Sequence, residues 1–286
     1  MKEESMKKVS DVLDSYAYKN GKDHIGNFND WLAWMCKWFD IHTILECESM
    51  SQVFQRAQQE NPMYFEAMSH WIDVFNEGVT THGAWDSFGT IYEACYQSKS
   101  KAGALGQFFT PANVSDLMAQ IVGGNESKDE NGVTTYYDCA CGSGRTLVSA
   151  WKKCDQYAKN FFMGGDLDGS SVNMCALNFM INGMVGAVER RNALTMEWYG
   201  GYVVNACKVP FANNMCGLEY YTEESQFDHA VRKLKHMMKH WNVGSFRPAD
   251  AAVVETEQTS EPVVAVEQSI PQPTEKLEPF TQLTLF

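Results

Sequence analysis

The chain has 286 residues, a formal net charge of −13 and 44% hydrophobic residues. Its length and apolar content suffice for one large or two smaller globular domains. Its acidity argues against general binding of nucleic acid, because contacts with phosphates supply most of that affinity. If DNA is the substrate, its affinity must come from a local basic patch or from a partner.

The first residues and the cysteines indicate a cytoplasmic protein. The start of the chain is polar and lacks the apolar run of a signal peptide. No stretch approaches the roughly 18 apolar residues of a membrane span. The 9 cysteines are scattered and form no Cys-x-x-Cys pair, which argues against a zinc site and against disulfides. We therefore expect reduced thiols, no metal and no membrane segment.

Residues 1–104 are predicted to form an N-terminal helical region. Asn29 is a candidate cap for a helix that carries Trp31, Trp34 and Trp38 at helical spacing. Core packing is the ordinary explanation of this tryptophan stripe, and an aromatic surface for bases or a partner helix is the alternative. Two further helices are predicted near residues 63–75 and 87–96.

Strands and helices alternate over residues 105–245, which is typical of an α/β domain with a parallel sheet. Strands are predicted at 133–137, 161–165, 185–188 and 202–204. The final helix, near residues 227–241, carries a basic face. Solvation is the ordinary explanation of such a face, and contact with DNA phosphates is the alternative. Residues 246–286 are predicted to be a disordered acidic tail.

A glycine turn follows the first predicted strand. Asp138 ends the strand, and Gly142 and Gly144 lead into a helix, as in sheets that present backbone amides to a nucleotide-like ligand. Leu147 replaces the third glycine of a dinucleotide fingerprint, which disfavours NAD. Asp166 lies about 20 residues further on, where a carboxylate binds ribose hydroxyls. Asp168 is the alternative, and capping the next helix is its simpler role.

Several sequence blocks carry a resemblance to a known family. They occur at residues 86–93, 106–111, 138–144, 165–168 and 191–194. Their order resembles that of the modification subunits of type I restriction-modification systems, which are N6-adenine DNA methyltransferases. The resemblance covers roughly residues 85–205. It implies a Rossmann-like S-adenosylmethionine-dependent methyltransferase core with an N-terminal helical region. Too few strand-like segments follow residue 211 to complete the sheet.

The resemblance also implies which residues hold S-adenosylmethionine. The block from Gln107 to Ala112 would close over the cofactor, the glycine turn would hold its methionine end, and Asp166 would hold its ribose. Arg145 is a departure from the family, and its guanidinium could pair with the cofactor carboxylate. The implied cofactor residues are Gln107, Phe108, Phe109, Thr110, Pro111, Asp138, Gly142, Ser143, Gly144, Asp166 and Asn192.

The catalytic motif of the family is altered in this chain. Family members place Asn-Pro-Pro-Phe or Asn-Pro-Pro-Tyr after the fourth strand, where oxygen acceptors hold the adenine amino group and the aromatic ring stacks on the flipped base. Asn205 keeps its place, but Ala206 and Cys207 replace the prolines and Phe211 is displaced. The resemblance implies that Asn205 holds the amino group and that Phe211 stacks on the base.

Three functions are compatible with these residues. The first is adenine-N6 methylation of DNA, with a specificity subunit as a further partner. The second is cofactor binding without methyl transfer, in an accessory or decoy protein encoded by a mobile element. The third is methylation of another substrate.

The end of the chain indicates a further partner. Its last five residues resemble the peptide with which bacterial proteins bind the sliding clamp. Leu283, Leu285 and Phe286 would fill apolar pockets, while Gln282 would make orienting hydrogen bonds. The tail would then act as a tether that raises the local concentration near DNA.

Overall fold

The computed structural model describes residues 3–96, 110–122, 127–154, 159–206 and 217–240. Within these ranges it contains ten helices and a five-stranded mixed sheet. This arrangement confirms the predicted α/β class with helices preceding the sheet. None of the helices in the described ranges is long and apolar enough to cross a membrane.

Six helices form the N-terminal part. They are α1 (Glu3–Lys19), α2 (His24–Trp38), α3 (Ile41–Leu45), α4 (Met50–Glu60), α5 (Pro62–His82) and α6 (Ser87–Cys95). The prediction that Asn29 caps a helix is wrong, because α2 begins earlier and the Asp23 side chain accepts a hydrogen bond from the amide of Gly26. Trp31, Trp34 and Trp38 are buried, so the stripe packs in the core as predicted.

Helices and strands alternate along the rest of the chain as far as the third strand. They are α7 (Ala112–Val122), β1 (Thr134–Asp138), α8 (Arg145–Lys153), β2 (Asn160–Asp166), α9 (Gly169–Ile181), β3 (Gly186–Arg191), β4 (Trp198–Val204), β5 (Leu218–Tyr221) and α10 (Glu224–Met238). The sequence predicted only the second half of β4, and it missed β5.

The sheet has the order β1-β2-β3-β4-β5, and the strand direction reverses between β3 and β4 and again between β4 and β5. Strands β1, β2 and β3 run parallel, joined through α8 and α9. Strand β4 is antiparallel to β3, and β5 is antiparallel to β4. The predicted parallel sheet is therefore confirmed for β1, β2 and β3, and it is wrong for the pairing of β4 with its neighbours. Residues 192–197 alone connect β3 to β4, whereas a parallel crossover needs a dozen or more residues.

The two faces of the sheet are covered differently. On one face, a single apolar core joins the N-terminal helices to α9 and the sheet, through residues such as Val9, Trp71, Phe179 and Val204. On the other face, α10 packs Phe227, Leu234 and Met238 against the strands. The predicted boundary near residue 104 lies outside the described residues and stays a prediction. The shared core nevertheless ties the N-terminal helices closely to the sheet.

Candidate cofactor site

The parallel strands bring several predicted site residues to one edge of the sheet. Asp138 pairs in register with Gly164 of β2, and Asp166 pairs with Arg190 of β3. Asn192 follows the end of β3. The carboxyl ends of parallel strands form the edge where open α/β sheets bind ligands. We call this edge, formed by the ends of β1, β2 and β3, the cofactor edge.

The glycine turn has a backbone that other residues adopt at a cost. Gly142 has a φ of 54° and Gly144 a φ of 85°, both in the left-handed region. A Cβ atom at Gly144 would lie 2.7 Å from the Sγ atom of Cys175. Gly144 is also the N-cap of α8 and makes no side-chain capping bond. The turn therefore presents backbone amides at a helix N-terminus, which favours negative groups of a ligand.

Two carboxylates at the cofactor edge hold this turn. Asp138 accepts hydrogen bonds from the amide of Ala140 at 3.0 Å and from the hydroxyl of Thr146 at 2.5 Å. Asp166 accepts from the amide of Gly142 at 2.9 Å, which links β2 to the turn. Burial raises the pKa of Asp166 above its ordinary value. Both residues thus shape the site, whatever ligand it holds.

Asp168 has the simpler role that the sequence allowed. It is the N-cap of α9, and its carboxylate accepts a hydrogen bond from the amide of Ser171 at 2.9 Å. Its own amide donates to Asp166 at 2.9 Å. Asp168 is therefore the candidate ribose ligand whose carboxylate caps a helix.

A buried carboxylate anchors the glycine turn to the N-terminal helices. Asp86, the N-cap of α6, accepts hydrogen bonds from the Ser143 hydroxyl at 2.6 Å and from Arg145 Nε at 2.8 Å. Asn178 of α9 donates to the same carboxylate at 2.7 Å. The Ser143 side chain is thus held in the interior. Asp86 and Asn178 were not predicted as site residues, although Asp86 belongs to one of the matching blocks.

Arg145 joins three parts of the chain. Besides Asp86, its guanidinium donates to Glu93 at 2.5 Å and to the Thr110 carbonyl at 3.0 Å. Burial opposes the charge of Arg145, but Asp86 and Glu93 more than offset it, and the pKa of Arg145 is raised. The suggestion that Arg145 pairs with a cofactor carboxylate is wrong for this arrangement, because the guanidinium is buried on these partners. The sequence offered one sign of a different role for this residue, because Arg145 departs from the family pattern.

Asn192 shapes the hairpin that follows β3. Its side-chain oxygen accepts hydrogen bonds from the amides of Leu194 at 3.0 Å and Thr195 at 3.2 Å. Such a turn within residues 192–197 reverses the chain over a short connection. Asn192 therefore lies beside the cofactor edge, with its side chain engaged in the turn.

Asn205 lies at the opposite edge of the sheet. Its neighbour Val204 pairs with Gly186, the first residue of β3, because β4 is antiparallel. The side chain is 2% exposed and donates to the carbonyl of Met184 at 2.9 Å and that of Phe179 at 3.3 Å. The assignment of Asn205 as the group that holds the adenine amino nitrogen is therefore corrected. It is buried and lies a strand length from the cofactor edge.

The remaining predicted site residues are only partly described. Thr110 and Pro111 precede α7, and the Pro111 carbonyl accepts hydrogen bonds from the amides of Val114 and Ser115 at the start of that helix. The other predicted residues, Gln107, Phe108, Phe109 and Phe211, lie outside the described residues, as does the C-terminal tail.

A comparison with known protein families covers the part of the chain that forms this edge. Residues 83–240 match the family described as N-6 DNA Methylase, and the chain belongs to this family. The match runs from the segment before Asp86 to the end of α10. It therefore includes every element that contributes to the cofactor edge.

Curated relatives match parts of the chain. The type I restriction enzyme MpnII methylase subunit of Mycoplasma pneumoniae is 30% identical over 128 residues, covering 41% of this chain and 22% of that protein. The type II methyltransferase M.MamI of Microbacterium ammoniaphilum is 32% identical over 91 residues, covering 30% of this chain and 25% of that protein. The chain thus spans about a quarter of the length of these relatives. No solved structure shows a significant match.

Proposed function

We propose that the chain binds S-adenosylmethionine at the cofactor edge and serves adenine-N6 methylation of DNA. The observation that supports this most is the glycine turn between two strand-end carboxylates, with Asp166 bonded to the amide of Gly142 at 2.9 Å. When bound, the cofactor supplies an activated methyl group. Membership of the N-6 DNA Methylase family supports DNA as the substrate class.

The chemistry of the cofactor edge fits this ligand. The amides at the start of α8 would receive the carboxylate of the methionine end. Asp166 is half-buried at the edge. Each of its oxygens has capacity beyond its bond to a backbone amide, so it would also accept from ribose hydroxyls. Gln107, Phe108 and Phe109 would close over the ligand, as the resemblance implies.

The receiving side of the reaction needs other residues. The adenine amino group requires acceptors beside the methyl group, because its lone pair is delocalised into the ring. Asn205 does not supply one, since it is buried at the opposite edge. We propose that methyl transfer, where it occurs, uses acceptors from residues outside the described ranges or from a partner such as a specificity subunit.

The placement of Asn205 favours a second candidate function. The chain would bind S-adenosylmethionine without transferring the methyl group and act as an accessory or decoy protein on DNA. In that case the last five residues, from Gln282 to Phe286, would tether it to the sliding clamp. Removal of these residues should abolish co-elution with the purified clamp, and unchanged co-elution would contradict the tether.

Transfer of a tritiated methyl group to unmethylated DNA separates the two candidates. For the active enzyme we expect incorporation that Asp166→Ala abolishes and Asn205→Ala preserves in proportion to folded protein. For the second candidate we expect no incorporation by a wild-type chain that binds the cofactor in calorimetry. Incorporation that Asn205→Ala abolishes without loss of fold would show that our placement of the receiving side is wrong.

A further inference from the structure

The second half of α10 carries a concentration of positive charge that the cofactor site does not use. From Val231 to His240 the sequence contains no acidic residue. Phe227, Leu234 and Met238 point into the core. The basic side chains therefore lie on the other sides of the helix. We call the following residues the basic face: Arg232, Lys233, Lys235, His236, Lys239 and His240.

One lysine beside the helix adds to this charge, and one lysine of the face contacts a strand. Lys159, which precedes β2, donates to the carbonyl of Lys239 at the end of the helix. Lys235 donates to the hydroxyl of Thr135 in β1 at 2.7 Å, and its burial lowers its pKa. The helix dipole favours cations in the last turn only. It therefore explains Lys239 better than it explains Arg232 and Lys233, which lie more than a turn earlier.

These cations lack the acidic partners seen elsewhere. Lysines pair with acids at other sites, as exposed Lys22 does with Asp30 and half-buried Lys152 does with Asp116. Within the described ranges no acidic side chain forms an ion pair with Arg232, Lys233 or Lys239. Asp129 is the acid that acts electrostatically on Lys235. Like charges three or four residues apart on a helix repel each other.

We propose that the basic face is a docking surface for the phosphate backbone of double-stranded DNA. The chain has 36 acidic residues against 23 lysines and arginines, so its overall field repels a polyanion. A protein of this charge needs a local cluster of cations to hold DNA. The inference rests on the proposed function only in taking DNA as the partner.

The docking surface lies away from the cofactor edge. The first residue of α10, Glu224, pairs with Arg191 at the end of β3, at 2.5 Å. Lys235 and Lys239 instead contact Thr135 and Lys159, close to the beginnings of β1 and β2. Strands of this length span roughly 15–20 Å. DNA held on the basic face is therefore tethered by its backbone, without sequence readout, at a distance from the cofactor.

Fluorescence anisotropy of a labelled duplex tests this surface. The substitutions Arg232→Gln, Lys233→Gln and Lys239→Gln remove three exposed cations and leave the buried face of α10 intact. Between about 50 and 200 mM salt, the slope of log K against log salt should shrink by about 0.9 for each DNA phosphate that the variant no longer neutralises. We expect weaker affinity with a reduction in slope of about two to three.

A matched variant controls for net charge. Lys7→Gln, Lys8→Gln and Lys19→Gln remove three exposed cations from α1. This variant should keep the wild-type slope. Equal slopes in both triple variants, or a wild-type chain that does not bind the duplex at the lowest salt, would overturn the proposal.

Cofactor titration keeps the two proposals separate. The α10 triple variant should bind S-adenosylmethionine as the wild type does. If the wild type binds DNA through α10 but releases no heat with the cofactor, the proposed function fails while the docking surface stands. If the cofactor binds and the duplex does not, the docking surface fails while the proposed cofactor site stands.

Discussion

The parallel half of the sheet, β1 to β3, ends at one edge, whereas β4 in the antiparallel half ends at the opposite edge. In the parallel half, β1, β2 and β3 bring Asp138, Asp166 and the glycine turn together. In the antiparallel half, β4 runs back along β3 and carries Asn205 to the other edge. The first half therefore has the features of a cofactor site, and the second half separates the candidate catalytic residue from it.

This difference comes from the connections between strands. The segments after β1 and β2 contain the helices α8 and α9, which return the chain for a parallel strand. Residues 192–197 contain no helix, and the Asn192 side chain bonds to Leu194 and Thr195 within that turn. A short turn can join only antiparallel strands. A family resemblance carried by sequence blocks thus does not by itself place all of their residues in one site.

The largest expected effect on stability concerns the buried pair of Asp86 and Arg145, which holds the glycine turn. The Arg145→Ala substitution leaves Asp86 buried without its cation and should lower the free energy of unfolding by about 3–5 kcal/mol. In the exposed pair Lys37–Glu60, Lys37→Ala should cost less than about 1 kcal/mol. Urea denaturation of both variants measures the difference. Equal small decreases would show that the parallel half does not depend on the pair of Asp86 and Arg145.

The glycine turn offers a sharper comparison. Gly144→Ala should lower the free energy of unfolding by about 2–4 kcal/mol, from a left-handed backbone and from a close approach to Cys175. Gly132 has a φ of 72°, and a Cβ atom there would meet no other atom within 4 Å. Gly132→Ala therefore carries the backbone cost alone, about 1–2 kcal/mol. Only Gly144→Ala should also weaken cofactor binding in calorimetry. Equal affinities in the two variants would argue against the turn as a ligand site.

In the antiparallel half, we expect a substitution of Asn205 to lower stability without changing cofactor binding. Asn205 donates to buried carbonyls of Phe179, Met180 and Met184. Asn205→Ala should therefore cost about 1–3 kcal/mol of stability, because these groups lose a partner. Affinity for S-adenosylmethionine, measured on folded protein, should stay at the wild-type value. A folded variant with much weaker binding would place Asn205 in the cofactor site after all.

The positions of Asp138, the glycine turn and Asp166 at strand ends could be predicted because their signals are local. Asp138, the glycines and Asp166 each follow an apolar strand at a spacing that a βαβ unit requires. The role of Asp86 could not be predicted this way, because its bond to Ser143 joins residues 57 positions apart. Asp86 directly precedes the helix predicted near residues 87–96, and in the structure it also caps that helix.

The antiparallel half was harder to predict. Strand β5 has only four residues, Leu218–Tyr221, and follows a segment without a clear period. The direction of β4 is set by its pairing with β3. The composition of a strand does not indicate its direction, so the sequence of β4 could not predict it. The short gap between residues 194 and 205 was the available signal, and it indicates a hairpin rather than a crossover.

Calorimetric titration with S-adenosylmethionine tests the central claim most directly. We expect saturable binding by the wild type and affinity at least about tenfold weaker in Asp166→Ala, equivalent to about 1.4 kcal/mol. Asp168→Ala removes a helix cap, which should cost about 1 kcal/mol of stability while leaving the affinity close to wild type. No heat with the wild type, or unchanged affinity in Asp166→Ala, would contradict a cofactor site at this edge.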